Sequence, residues 1–243
     1  MMPQTLKRRK KARVIFVTIV TCSIIGMIVL NTPIWNINVI DIEGNLYYNN
    51  EEIMNQAEIF KKMHILKINK KRSIKELQKL PYIHLAEINV KYPSSVKIKV
   101  IEREPIGYVP FSGTYLSIDK MGQVLDQREA KELNDLPIVE GLKFDKFVLG
   151  EPLDVENEDS IMAIIEMTTL MEKYNLLDKA VKVDVENLGR IHLYINSLDV
   201  IIGEISDLDK KIQWLCEIMD QYKMGVLDLS NIDKGQAVMS PLM

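Results

Sequence analysis

The chain has 243 residues, 47% of them hydrophobic, a mean hydropathy of -0.02 and a formal net charge of -3. That balance excludes a disordered polyelectrolyte, and nothing in it suggests a nucleic-acid partner. The two cysteines, Cys22 in an apolar run and Cys216 in a predicted helix, offer no disulfide framework, so the folds must rest on hydrophobic cores.

The first element is an apolar span. Residues 14–30, opening on Val14 and closing on Leu30, are uncharged and follow six basic residues, Lys7, Arg8, Arg9, Lys10, Lys11 and Arg13. As a helix the span rises about 26 Å, close to a hydrocarbon core of roughly 30 Å, and Pro33, Ile34 and Trp35 extend it into the interface. It is longer than the roughly 7 to 15 apolar residues of a signal-peptide core, and residues 30–35 hold no small-x-small cleavage site. An uncleaved membrane anchor is expected, with the basic tail (1–13) cytoplasmic and 31–243 outside.

Charge is uneven beyond the anchor. Residues 61–103 carry 12 basic and 3 acidic side chains, whereas 104–243 carry 13 basic and 26 acidic. A basic segment beside a membrane attracts anionic headgroups or an acidic partner, and a solvated face explains it equally well.

Residues 38–43 alternate and stop at Gly44-Asn45, a first strand. Asn49 with Glu52 reads as a capping box opening a helix through Ile53, Met54, Ala57 and Ile59. Ser73 with Glu76 reads as a second capping box, its helix ending at Pro81. Ala86, Ile88 and Val90, then Val96, Ile98 and Val100, alternate on either side of Pro93-Ser94-Ser95, predicting a hairpin with a basic outer face.

From Pro105 the pattern becomes short strands at 107–111, 114–119, 123–126 and 137–139. A helix is expected over 159–174, then a meander through Val181–Val185, Ile191–Ile195 and 200–202. A second helix is expected over 207–224 with Gly225 as its stop, and strands at 226–230 and 236–240 close the chain. The fold class is α+β, the second domain having an antiparallel or mixed sheet.

Catalytic signals are weak. His64, His84 and His192 have no metal-ligand spacing, and no nucleophile elbow or phosphate-binding glycine motif occurs. His192 lies opposite Ile191 and Leu193, a surface position. Cys216 sits on an apolar stripe as a small hydrophobe. The acidic run 154–159 lacks the glycine and distal glutamate of a calcium loop, and helix-dipole stabilisation explains its acids. The methionines of 162–171 read as core. No catalytic residue, cofactor or metal is expected.

The order of elements resembles the FtsQ/DivIB family of bacterial cell-division proteins. The residues that carry it are Ile40-x-Ile42-x-Gly44-Asn45, Leu80-Pro81-Tyr82-Ile83, and Ala86-x-Ile88-x-Val90-x-Tyr92-Pro93. Val96-x-Ile98-x-Val100-x-Glu102-Arg103-x-Pro105 is the most specific segment. Ile118-Asp119 with Gly122-x-Val124, Leu136-Pro137-x-x-x-Gly141, Ile201-Ile202-Gly203 and Leu227-Asp228-Leu229 continue the match.

The resemblance implies a POTRA domain (strand-helix-helix-strand-strand) over 36–104, with Gly44, Asn45, Pro93, Glu102, Arg103 and Pro105 as motif positions, and a β domain over 105–243. It implies a non-enzymatic, single-pass scaffold of the division septum. Its partners would be FtsB/DivIC-like and FtsL-like small division proteins, the septal penicillin-binding transpeptidase complex and the lipid bilayer. In the family the last strands pair with a strand of the small partner, which here assigns Leu229, Ser230, Asn231, Ile232, Gly235, Gln236, Ala237, Val238 and Met239 to binding. Unlike the Gram-negative pattern, this chain has no aromatic between Ser230 and Lys234 and no Trp after Val238. Competing readings are a POTRA-bearing transport accessory protein and an anchored cell-wall enzyme.

Overall fold

The computed structural model describes residues 4–219, 221–222, 224–232 and 235–241. The chain divides into two compact units, one of residues 1–78 and 85–102, the other of residues 79–84 and 103–243.

The first unit opens with helix α1 (Gln4–Leu30), the one helix among the described residues long and apolar enough to cross a membrane. A 3-10 turn (Pro33–Trp35) leads to β1 (Val39–Glu43), α2 (Asn50–Ala57), α3 (Lys70–Leu77), β2 (Ile83–Lys91, in this unit from Leu85 on) and β3 (Ser95–Glu102). The sheet order is β1-β3-β2, and β1 runs parallel to β3 with Ile40 opposite Val96 and Ile42 opposite Ile98. Ile53 and Ala57 of α2, Leu77 of α3, and Ile88, Val96, Ile98 and Val100 of the strands are buried, each large aliphatic contributing roughly 1.5–3 kcal/mol.

The capping box of α2 forms as expected: Asn49 accepts from Glu52 N–H at 3.0 Å, and the Glu52 carboxylate accepts from Asn49 N–H at 2.8 Å. The second expected box does not. Helix α3 is capped by Asn69, which accepts from Arg72 N–H at 3.2 Å, and Ser73 lies buried inside the helix. Both Asn and Ser are good caps, but starting at Asn69 adds a turn and sets Ser73 on the buried face of the helix, one turn before Leu77. The hairpin's outer face is not simply basic either. Pairing with β1 sets Asp41 beside Lys97 and Glu43 beside Lys99, and Lys97 Nζ lies 2.5 Å from Glu43 and 3.7 Å from Asp41. That bond holds the Glu43 carboxyl below its ordinary pKa.

The second unit is a nine-stranded sheet with helices α4 (Glu158–Lys173) and α5 (Leu208–Ile218). Its strands are β4 (Pro105–Phe111), β5 (Thr114–Asp119), β6 (Val124–Arg128), β7 (Ile138–Glu140), β8 (Ala180–Asp184), β9 (Ile191–Ile195), β10 (Ser197–Gly203), β11 (Met224–Asp228) and β12 (Val238–Ser240). Their order is β12-β11-β10-β9-β8-β7-β4-β5-β6, and parallel pairs β4–β7, β7–β8 and β10–β11 make the sheet mixed. Ile164, Met167 and Met171 of α4 and Leu208, Ile212 and Leu215 of α5 join the strands in one core.

Three local expectations change. Helix α5 stops at Ile218, and Met224 and Gly225 belong to β11, paired with Ser197 and Leu198. The ladder hydrogen bonds to β10 outweigh one more helical turn there, a tertiary override of periodicity. The methionine face of α4 is only partly core: Met167 and Met171 are fully buried, while Met162 is exposed. His192 occupies the expected face of β9 but is half-buried, its Nδ1 2.7 Å from Asp199.

Candidate partner-binding edge

Strand β12 is the last strand of the large sheet, and its position is set by a glycine. At Gly225, φ is +138°, and a Cβ there would lie 2.8 Å from Ser240 O. Only glycine lets the β12 backbone come this close to β11. The register places Val238 opposite Asp228, Met239 opposite Leu227 and Ser240 opposite Val226.

The connection from β11 is tied at several points. Leu229 N–H donates to Ile201 O at 2.9 Å, and its side chain is fully buried. Asp228 Oδ1 accepts from Ser230 N–H at 2.9 Å and from Ser230 Oγ at 2.6 Å, closing an Asx turn. Asn231 Nδ2 donates to Ser230 Oγ at 3.1 Å, and Ile232 enters the core at 7% exposure. Gly235 N–H returns to Ile232 O at 2.9 Å, and Gln236 N–H reaches Asn231 O at 3.4 Å.

These residues therefore divide into two kinds. Leu229, Ile232, Ala237 and Met239 pack inward and hold the segment, while Asn231, Gly235, Gln236 and Val238 face solvent, Val238 at 56% exposure. Ser230 is half-buried.

Sheet edges are ordinarily protected by charge or by covering segments. Edge strand β6 carries Asp126 and Arg128, and its Val124 bonds the 150–151 segment through Val124 N–H to Glu151 O (2.9 Å) and Gly150 N–H to Val124 O (2.8 Å). Edge strands β1 and β2 carry Asp41, Glu43, Glu87 and Lys91. Strand β12 carries no charge and, among the described residues, no further strand pairs with it.

The other motif positions have structural duties. Gly44 has φ of +87°, and a Cβ there would sit 2.0 Å from Val100 O. Asn45 Nδ2 donates to Tyr48 O (2.8 Å) and Asn50 Oδ1 (3.0 Å). The Glu102 carboxylate accepts from the backbone N–H groups of Leu46, Tyr47 and Tyr48 at 2.8, 2.6 and 3.1 Å. Gly44, Asn45 and Glu102 thus shape one loop, on which Leu46 is 92% exposed. Pro93, in the β2–β3 turn, lies a full strand length away along β3.

Arg103 serves the second unit. Its Nη1 donates to Asp119 Oδ2 at 2.7 Å, and Asp119, 2% exposed, also accepts from Met121 and Gln123 N–H. Pro105 opens β4 opposite Asp119. Nearby, Asp126 accepts from Tyr82 Oη at 2.7 Å, from Ser117 Oγ and from Arg128 Nε. The Leu-Pro-Tyr-Ile segment marked Tyr82, but nothing in its local pattern pointed to Asp126, 44 residues on. Among the described residues no group of three or more His, Cys, Asp or Glu side chains converges as a metal site would.

Comparison with known proteins matches residues 35–103 to the POTRA domain, FtsQ-type, and residues 107–233 to the C-terminal domain of cell division protein FtsQ/DivIB. Cell division protein DivIB of Clostridium botulinum (strain Hall) is 30% identical over 232 residues, covering 92% of this chain and 89% of that protein. DivIB of Clostridium tetani is 25% identical over 204 residues, covering 84% and 77%. Among solved structures, the major extracytoplasmic domain of DivIB from Geobacillus stearothermophilus matches with 19% identity and a TM-score of 0.31, over 49% of this chain and 92% of that one.

Proposed function

As the chain belongs to the FtsQ/DivIB family of bacterial cell-division proteins, we propose that it acts at the division septum as a non-enzymatic scaffold rather than as a catalyst. Helix α1 anchors it by a single pass with the N-terminus cytoplasmic, residues 36–104 form the POTRA domain, and 105–243 form the β domain. Its partners are FtsB/DivIC-like and FtsL-like small division proteins, and through them the septal transpeptidase complex.

The observation that supports this reading best is the uncharged, exposed edge of β12. A partner segment would add as a further strand there, main-chain hydrogen bonds giving affinity and Val238 offering an apolar contact. Co-purification of the full chain with its FtsB/DivIC-like partner tests it. Val238→Asp puts a charge on the open edge and should weaken binding roughly tenfold, the worth of one or two lost ladder bonds. Unchanged affinity in a Val238→Asp protein that unfolds normally would remove β12 from the interface.

A further inference from the structure

The segment after α1 is built into the first unit by a reciprocal pair of backbone bonds. Ile37 N–H donates to Met63 O and Lys62 N–H donates to Ile37 O, both at 2.8 Å, and Asn36 and His64 form an antiparallel bridge beside them. The His64 ring closes the junction. Its Nδ1 accepts from Leu66 N–H at 3.3 Å, so Nε2 carries the proton, and Nε2 donates to the carbonyl of Leu30, the last residue of α1, at 2.8 Å. One end of the first unit is thereby fixed against the end of the apolar helix.

That end carries exposed cations. Lys61, Lys62 and Lys67 lie within three residues of His64 in the chain and point to solvent. Among the described residues none of the three has a carboxylate within ion-pair distance, whereas Glu58 is engaged by Arg72 at 2.7 Å. The same end carries aromatic and apolar groups. Trp35 Nε1 donates to Val29 O at 3.0 Å, and its ring meets Tyr92 edge-on with centroids 6.3 Å apart. Ile34, Leu66 and Tyr92 are more than half exposed.

Amphipathic rings and unpaired lysines around the end of a spanning helix match the headgroup layer, where attraction to anionic lipid acts within a Debye length of about 8–10 Å. We propose that this end of the first unit binds anionic phospholipid headgroups on the outer membrane face, Lys61, Lys62 and Lys67 supplying the charge and Trp35 with Tyr92 the interfacial anchor. The inference rests on the single-pass anchoring proposed above and adds a lipid-binding surface to it.

The test uses the full chain carrying Trp214→Phe, reconstituted in phosphatidylcholine vesicles with or without phosphatidylglycerol. Brominated lipid should quench Trp35 in both, and absence of quenching would overturn the anchoring itself. Amide exchange over residues 60–67 should slow about fivefold when phosphatidylglycerol is present, the factor one headgroup-bound cation contributes. The combined change Lys61→Gln, Lys62→Gln and Lys67→Gln should abolish that difference while leaving Trp35 quenched. Equal exchange in both vesicles with Trp35 quenched would overturn the lipid proposal alone. So would slowing produced by added polyglutamate but not by phosphatidylglycerol, which would assign the cations to an acidic protein.

Discussion

Glu102 and Arg103 are adjacent in the chain and fasten different units: the Glu102 carboxylate gathers three backbone N–H groups of the loop after β1, and the Arg103 guanidinium holds the buried carboxylate of Asp119. Removing each should therefore damage a different half of the molecule. Glu102→Gln should cost about 1.5–3 kcal/mol and raise amide exchange across residues 45–48. Arg103→Met, which leaves Asp119 buried without its cation, should cost roughly 3 kcal/mol and raise exchange in β4 and β5. Exchange maps in which both variants loosen the same peptides would refute this division of labour.

The network around Asp126 makes stability fall at both ends of the pH range. Burial opposes the charge on Asp126, but hydrogen bonds from Arg128, Ser117 and Tyr82 outweigh it and hold the pKa below the ordinary carboxylate value. The unfolded chain then binds the proton more readily, so this stabilisation is present above the ordinary carboxylate pKa and is lost as pH drops through the lowered folded value. Burial first, then Asp126, pushes the Tyr82 phenol upward. Its contribution is present below about pH 10 and is lost as pH rises beyond that. Thermal unfolding against pH should show a flatter acid limb for Asp126→Asn and a flatter alkaline limb for Tyr82→Phe.

Two glycine positions should separate local from global damage. Gly44→Ala forces a Cβ onto Val100 O at a φ of +87° and should destabilise the first unit by at least about 2 kcal/mol in urea unfolding. Gly225→Ala should push β12 away from β11, raising exchange at 238–240 while β10 stays protected. Loss of protection throughout the sheet would show that β12 is integral to the core.

Met162 and Met167 stand five residues apart on α4 with opposite fates. Met167→Ala opens a cavity in the core and should cost about 2–5 kcal/mol, whereas Met162→Ala should stay within about 0.5 kcal/mol. Equal losses measured by thermal unfolding would place both side chains in the same packed environment.

Much of the local structure was legible because its causes are local. The capping box at Asn49 and Glu52, the alternation in β2 and β3, and α4 depend on residues within a few positions of one another, and all formed as expected. Failures came where distant pairing competed with local pattern. β10 claimed Met224 and Gly225 from the end of α5, while at α3 one local signal displaced another, Asn69 capping the helix four residues ahead of Ser73. Likewise the cations Lys97 and Lys99 read as a bare basic face until the parallel pairing of β1 brought Asp41 and Glu43 alongside.

The sequence by itself determined the apolar span after a basic tail, the strand-helix-helix-strand-strand order, the α+β class and the family resemblance, since hydrophobic periodicity and short-range capping are written in consecutive residues. Only the tertiary structure decided that the sheet of the second unit is mixed, that β12 forms its uncharged edge, and which residues near the C-terminus are buried and which exposed. It alone joined His64 to Leu30 and set Glu102 and Arg103 to separate tasks. Those outcomes turn on contacts between residues from 10 positions apart, as Asp228 and Val238, to 56, as Leu46 and Glu102, which no local pattern encodes.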